Sequence, residues 1–197
     1  MMNFWDERYA AEEYAYGTEP NLFFKQELET LKPGKILLPG EGEGRNAVYA
    51  ARQGWQVLAF DSSAEGKKKA EKLAGCHQVS INYVIQNYDE IELPGSEFDC
   101  LALIYTHMPA AKRRECHRKL AASLKPGGTL ILEGFSKEQI HNDTGGPRDE
   151  AMLFSEAELE ADFSEFSKLS IRQLDLDIRE GLYHNGKASV VQLVAVK

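Results

Sequence analysis

Residues 36–61 read ILLPGEGEGRNAVYAARQGWQVLAFD: an apolar run, a turn with glycine at 40, 42 and 44, an amphipathic run, a second apolar run and an aspartate. A short run that is apolar throughout suits a strand covered on both faces. Helix-period residues that follow glycines directly then predict strand, turn, helix and a returning parallel strand. The middle of the chain repeats this alternation. Strand candidates are Lys35–Leu38, Gln56–Phe60, Asn82–Gln86, Phe98–Tyr105 and Thr129–Phe135, and helix candidates are Arg45–Gln53, Ala64–Ala74 and Ala110–Leu124. Ser62 with Glu65 has capping-box spacing and opens the second helix. Lys125-Pro126-Gly127-Gly128 stops the third.

The last third changes character. Ser155 with Glu158 forms another capping box before a short helix, and two longer runs, Ser167–Arg179 and Ala188–Val196, flank a connection too short for a crossover helix. They are expected to form an antiparallel hairpin at one edge. The expected fold class is α/β: a doubly wound, mostly parallel sheet with an antiparallel C-terminal hairpin.

At 197 residues the chain is expected to form a single domain. Within it, 1–31 form an N-terminal helical cover, 35–135 a binding core, and 136–197 a loop, a helix and the hairpin. A hydrophobic content of 43% beside 27% charged residues is that of a globular protein, and no apolar run approaches a membrane span. The acidic, aromatic N-terminus is no signal peptide, so the expected location is cytoplasmic. Cys76, Cys100 and Cys116 show no metal or disulfide spacing, nor do His77 and His117, and no metal is expected. A net charge of −8 argues against nucleic acid as partner. The basic runs Lys67–Lys69 and Lys112–Arg114 are each followed by a glutamate, as on a solvated helix face. A small-molecule partner is expected instead, with no membrane, for a monomer or weak homodimer.

A glycine turn between strand and helix presents backbone N–H groups at the carboxyl edge of the sheet, where such folds bind ligands. Gly40, Gly42 and Gly44 allow close approach, and Asp61, ending the next strand, is placed to accept hydrogen bonds from a ribose diol. The dinucleotide fingerprint requires Gly-x-Gly-x-x-Gly, whereas here the spacing is Gly-x-Gly-x-Gly with Arg45 at the third glycine position. Glu41 and Glu43 also lie in the turn. A carboxylate ~4 Å from a phosphate charge is repelled by ~1 kcal/mol in water and ~4 kcal/mol at an effective dielectric of 20. A nucleoside with a cationic centre and no phosphate meets no such penalty, and S-adenosylmethionine is such a molecule.

These residues resemble a class I S-adenosylmethionine-dependent methyltransferase, similar to the tellurite-resistance and thiopurine group. The resemblance rests on Trp5-Asp6-Glu7-Arg8-Tyr9, Tyr16-Gly17, the glycine turn, Asp61, Gln86-Asn87-Tyr88, Leu124-Lys125-Pro126-Gly127-Gly128 and the terminal hairpin. It implies a seven-stranded sheet whose last strand inserts antiparallel. It also implies that Gly40, Glu41, Gly42, Gly44 and Arg45 line the methionine end of the cofactor, with Asp61 and Ser62 at the ribose. Asn87 and Tyr88 would meet the adenine, Trp5, Tyr9 and Tyr16 would form an aromatic cover, and Tyr105 would touch the cofactor from the fourth strand. Leu38 stands where such enzymes usually carry an acidic residue, and Glu41 where a small residue is common. Trp5, Tyr9 and Tyr16 equally suit simple packing, and Arg45 a salt bridge.

His107, after the fourth strand, is placed as a general base for a thiol or hydroxyl acceptor, or as a loop histidine that shapes the pocket. His141, Arg148 and His184 fall in loops on the expected acceptor side, and Ile140–Leu153 is a candidate lid or a plain surface loop. Methyl transfer to a small thiol, hydroxyl or metalloid is the reading these features favour. A nicotinamide-dependent oxidoreductase and a non-catalytic S-adenosylmethionine-binding module are the alternatives.

Overall fold

The structure is a computed structural model and describes residues 4–197. Two short helices, α1 (Phe4–Tyr9) and α2 (Leu22–Leu28), precede β1 (Lys35–Pro39), α3 (Arg45–Arg52), β2 (Gln56–Asp61), α4 (Ala64–Cys76) and β3 (Asn82–Ile85). Then follow β4 (Phe98–Ile104), α5 (Ala110–Ala122), β5 (Leu124–Phe135), 3-10 turns at Lys137–His141 and Glu150–Met152, α6 (Glu156–Asp162), β6 (Lys168–Glu180) and β7 (His184–Val196). The strands form a seven-stranded sheet in the order β3-β2-β1-β4-β5-β7-β6. The pairs β1–β2, β2–β3 and β4–β5 are parallel, and β5–β7 is antiparallel.

The chain divides into two compact units. One runs to Glu92 and includes Glu180–Tyr183, and the other comprises Leu93–Arg179 and His184–Lys197. In the first, Ile36, Leu37 and Leu38 of β1 and Phe60 of β2 are almost wholly buried, as strands covered on both faces require. Helix α4 points Ala70, Leu73 and Ala74 inward, and Leu73 and Ala74 pack with Val48 of α3. In the second, Phe135, Leu153, Ile178, Ala188 and Val190 form a cluster onto which Tyr105, Leu174 and Leu176 pack.

Three expectations are corrected. The cap of α4 is Ser63, whose Oγ accepts the Gly66 N–H at 3.0 Å, and not Ser62. The Lys125–Gly128 segment does not end α5, because α5 closes at Ser123, whose hydroxyl donates to the Leu120 carbonyl. That segment instead bulges within β5, since Phe98 and Cys100 of β4 face Leu124 and Thr129. The hairpin is longer than its apolar core suggested, with Gly181–Tyr183 alone joining its strands. The Ser155 capping box is present as expected.

Candidate active site

In the first unit the turn after β1 is wound by Gly40, Gly42 and Gly44, all with positive φ (61°, 60° and 89°). A side chain on Gly42 would lie 2.6 Å from the Tyr9 hydroxyl oxygen, and one on Gly44 would lie 2.5 Å from the Ala70 Cβ, so both are glycine by space as well as by backbone. Asp61 secures the turn from β2. Its Oδ2 accepts the Gly42 N–H at 3.0 Å and its Oδ1 the Ser63 N–H at 2.9 Å. Tyr83 of β3 donates its hydroxyl to the Gly42 carbonyl at 2.6 Å. Burial raises the Asp61 pKa, against the pull of the Ser63 and Gly42 amides.

The two glutamates do not face a ligand as free charges. Glu41 Oε1 accepts the Ala47 N–H at 2.6 Å, which places its carboxyl group on the N-terminal turn of α3. Burial pushes its pKa up to about 8, overcoming the amides of Ala47 and Asn46 and the Arg45 charge. Glu43 pairs with Lys69 at 2.7 Å and accepts the Tyr16 N–H at 3.4 Å. Direct repulsion of a phosphate is therefore weaker than the sequence implied. The amides that dinucleotide folds offer to a pyrophosphate are engaged from within by Glu41, which disfavours that ligand by occupancy.

Arg45 is buried, with Nη2 2.9 Å from Glu180 Oε2 and Nη1 donating to the Tyr16 carbonyl at 3.2 Å. Helix α1 lies on α4 through Asp6, whose Oδ1 accepts the Ser63 hydroxyl at 2.7 Å and the Glu65 N–H at 3.3 Å. Trp5 stacks on Tyr9 at 5.6 Å, and Tyr9 meets Tyr16 edge-on at 6.4 Å. Tyr9 is buried over the turn, where burial and the Asp61 charge hold its hydroxyl well above the usual tyrosine range. Asn87 is exposed and donates to Glu90, Tyr88 meets Phe60 edge-on at 5.5 Å, and Ser62 is partly buried beside Asp61.

In the second unit Tyr105 follows β4 directly and has φ 53°, a left-handed conformation that a bulky residue rarely adopts. Its N–H bonds the Glu133 carbonyl at 2.7 Å and its hydroxyl donates to Glu133 Oε1 at 3.0 Å. Glu133 is buried near the end of β5, and Gln192, opposite it on β7, donates Nε2 to its Oε2 at 2.5 Å. Arg172 of β6 binds Gln192 Oε1 in turn, at 2.7 and 3.0 Å. The buried His184 ring lies 4.5 Å from Tyr105 and 5.2 Å from Phe135, between ring centroids. Glu133 and Gln192 were missed from sequence, although each is a polar residue inside an otherwise apolar strand.

His107 is not arranged as a base. Its Nδ1 bonds the Met152 carbonyl at 2.9 Å, and its Nε2 accepts the Phe135 N–H at 3.0 Å. That pattern fixes the Nδ1–H tautomer and engages both nitrogens with backbone. Burial lowers its pKa to about 4, and the ring stacks on Phe154 at 4.5 Å. In this arrangement the imidazole pins the turn after β4, with both ring nitrogens held by backbone groups. The expected lid is fastened as well. Gln139 holds Thr144 and Gly145, Asn142 holds Ser189, and Arg148 donates to the Asn142 carbonyl at 2.8 Å. His141 and Arg148 are exposed. Among the described residues no group of three or more His, Cys, Asp or Glu is arranged to hold a metal ion, and no helix is long and apolar enough to cross a membrane.

Comparison with known proteins agrees with this geometry. Residues 36–128 match the family described as "Methyltransferase domain". A ubiquinone biosynthesis O-methyltransferase of Xanthomonas campestris is 35% identical over 112 residues, covering 53% of this chain and 45% of that protein. The ubiquinone/menaquinone biosynthesis C-methyltransferase UbiE of Edwardsiella ictaluri is 28% identical over 102 residues, covering 51% and 41%. The chain thus spans less than half the length of these curated relatives. In fold it is similar to a SAM-dependent methyltransferase of Methanosarcina mazei, with TM-score 0.70 and 21% identity, covering 91% of this chain and 98% of that one. It is also similar to TehB of Haemophilus influenzae, with TM-score 0.71 and 14% identity, covering 98% and 66%. Residues 36–128, just under half of the chain, are thus similar to the methyltransferase domain family, the chain shares the fold of these solved methyltransferases, and S-adenosylmethionine is the cofactor that these similarities imply.

Proposed function

We propose that the protein transfers a methyl group from S-adenosylmethionine to a small-molecule acceptor bearing a thiol, hydroxyl or metalloid nucleophile. The observation that carries this reading is the turn after β1, where Glu41 engages the N-terminal amides of α3 while Asp61 borders the same turn from β2. The donor set fits the cofactor. A carboxylate has about four lone-pair sites, so Asp61 retains capacity for a ribose hydroxyl beside the Gly42, Ser63 and Ser62 amides. Gly40, Glu41, Gly42, Gly44 and Arg45 would hold the methionine end, Ser62 would assist at the ribose, and Asn87 and Tyr88 would meet the adenine. Trp5, Tyr9 and Tyr16 would supply the aromatic cover.

The cofactor, when bound, supplies an electrophilic methyl group on a cationic sulfur. The protein's contribution is to orient the acceptor and exclude water. The affinity to the tellurite-resistance and thiopurine group is the finer form of this proposal, supported by the near-complete coverage of this chain by TehB. A cytoplasmic monomer or weak homodimer acting as a single domain completes it. The competing oxidoreductase requires a pyrophosphate on amides that Glu41 already engages.

The test is thermal. A ligand at ~100 times its dissociation constant stabilises by ~2.7 kcal/mol, a melting shift of roughly 5–10 °C for a chain of this size. S-adenosylhomocysteine is expected to produce this shift and NAD or NADP is not. The opposite result would sink the reading. Binding without transfer to any acceptor would leave a non-catalytic module.

A further inference from the structure

We propose that Tyr105 and Glu133 form the proton-accepting pair for an acceptor whose nucleophile is a phenolic hydroxyl, an inference that rests on the methyl-transfer reading above. Its starting point is a polar chain inside an apolar region. Glu133 and Gln192 face one another across β5 and β7 in strands that otherwise bury Leu130, Ile131, Leu132, Val190, Val191 and Leu193. A buried carboxylate is costly unless it is fully hydrogen-bonded. Here one oxygen takes the Gln192 amide, which Arg172 orients, and the other takes the Tyr105 hydroxyl. The pair lies at the carboxyl ends of the parallel strands β4 and β5, where doubly wound sheets do their chemistry.

The backbone adds a second, independent observation. Tyr105 is held at φ 53°, and such strain in a bulky residue persists only where its surroundings impose it. Those surroundings are the Tyr105 N–H on the Glu133 carbonyl and, two residues on, His107 fastened to Met152 and Phe135. The effect is to hold the phenol at Glu133 with its ring partly exposed.

Chemistry then selects the acceptor. A hydroxyl has one proton to give and lone pairs with which to receive. With its proton directed at Glu133, Tyr105 Oη meets an incoming hydroxyl as an acceptor. During transfer the acceptor's O–H bond breaks, and its electron pair forms the O–C bond to the methyl while the methyl–sulfur pair remains on sulfur. The acceptor's proton moves to Tyr105 Oη as the tyrosine's own proton moves to Glu133 Oε1. The tyrosine is restored, and the sulfonium and carboxylate charges disappear together. Relay through a tyrosine works best between groups of matched acidity. A phenol shares the ordinary tyrosine value of about 10, whereas an aliphatic hydroxyl is far less acidic and closer to water. The buried Phe135 and His184 rings pack against Tyr105 and hold its ring in place. Among the described residues, titratable and charged groups near the pair include His184 on β7, His107 in the turn after β4, and Arg172 on β6, which reaches Glu133 through Gln192.

The experiment uses full-length protein, ring-substituted phenols of graded acidity, and the same rings lacking the hydroxyl. By calorimetry on the S-adenosylhomocysteine complex, wild type is expected to prefer the phenol over the bare ring by roughly 2–10-fold, the worth of one hydrogen bond. Tyr105→Phe is expected to lose that preference; because it retains the ring, its S-adenosylhomocysteine affinity, measured alongside, is expected to change by less than the hydroxyl preference does. In turnover, Tyr105→Phe and Glu133→Gln are expected to fall ~10²-fold on phenols neutral at the assay pH and to approach wild type on phenols already ionised. A Tyr105→Phe protein that keeps the hydroxyl preference, or shows the same rate ratio to wild type across the acidity series, overturns the proposal. So does a wild type that methylates thiols or metalloid oxyanions but no phenol, which leaves the methyltransferase reading intact. Failure of wild type to bind S-adenosylhomocysteine removes both. If Glu133→Gln does not fold, the Tyr105→Phe arms decide alone.

Discussion

Glu41 offers a measurement of what burial costs at the centre of the turn. Its carboxyl is enclosed and its pKa is raised from 4.5 to about 8, so between those values the folded state holds a proton that the unfolded chain releases. Stability from this group is therefore greatest below pH 4.5, declines as pH rises, and levels off above about pH 8. At ~1.4 kcal/mol per pH unit the span gives a ceiling of about 5 kcal/mol, and an observable change of a few kcal/mol. Glu41→Gln retains a carbonyl to accept the Ala47 N–H, but it does not ionise. The variant is expected to match wild type near pH 5 and to gain on it by a few kcal/mol near pH 9. Urea unfolding of both proteins at pH 5, 7 and 9 measures this, and slopes from other groups largely cancel in the difference. A difference that stays constant with pH, or moves in favour of wild type, would show that the α3 amides and Arg45 outweigh desolvation.

Asp61→Ala removes a charged acceptor, and hydrogen bonds to charged groups are worth about 1.5–3 kcal/mol. S-adenosylhomocysteine affinity is expected to fall more than tenfold by calorimetry, and unchanged affinity would place the ribose elsewhere. His107→Ala leaves the Met152 carbonyl and the Phe135 N–H without their partner and opens a cavity, so a loss of about 2–4 kcal/mol, or roughly 5–15 °C in melting, is expected with cofactor affinity intact. Because the folded pKa of His107 is lowered to about 4, its contribution is present above pH 6.5 and lost as pH falls towards 4. That acid-side slope is absent from the alanine variant, and an identical slope in both proteins would contradict the arrangement.

The parallel half of the fold was legible because each buried strand is an unbroken apolar run, so β1, β2 and β4 were placed within a residue or two. The glycine turn was legible for a related reason: a turn wound at positive φ and packed against Tyr9 and Ala70 needs residues without Cβ. What escaped depended on pairing across long separations. Glu133 and Gln192 each interrupt an apolar strand, but only the antiparallel insertion of β7 beside β5 sets them opposite one another. Asp6 serves α4 from 57 residues away, which helps explain why the cap was read one residue early. The left-handed Tyr105 was invisible too, since nothing in the residue favours that backbone and the bonds that impose it come from β5. The bonds of His107 were not legible, because its partners are backbone groups, which leave no trace in composition.

The hairpin tip at Glu180–Tyr183 is counted with the first unit, where Glu180 meets Arg45 and Asn21, and Leu182 bonds the Ala15 carbonyl. Translation gives this a temporal consequence. At ~5–20 residues per second, the ribosome delivers residue 180 roughly 5–20 seconds after residue 92. Throughout that interval the nascent turn has its glycines, Asp61 and Arg45, but the guanidinium has no Glu180 to receive it. A charge of that kind resists burial without its partner. The Arg45–Glu180 salt bridge can therefore form only once a four-residue piece made near the end of synthesis has arrived. A chaperone that holds the nascent N-terminal segment would act on an interval written into the order of the chain.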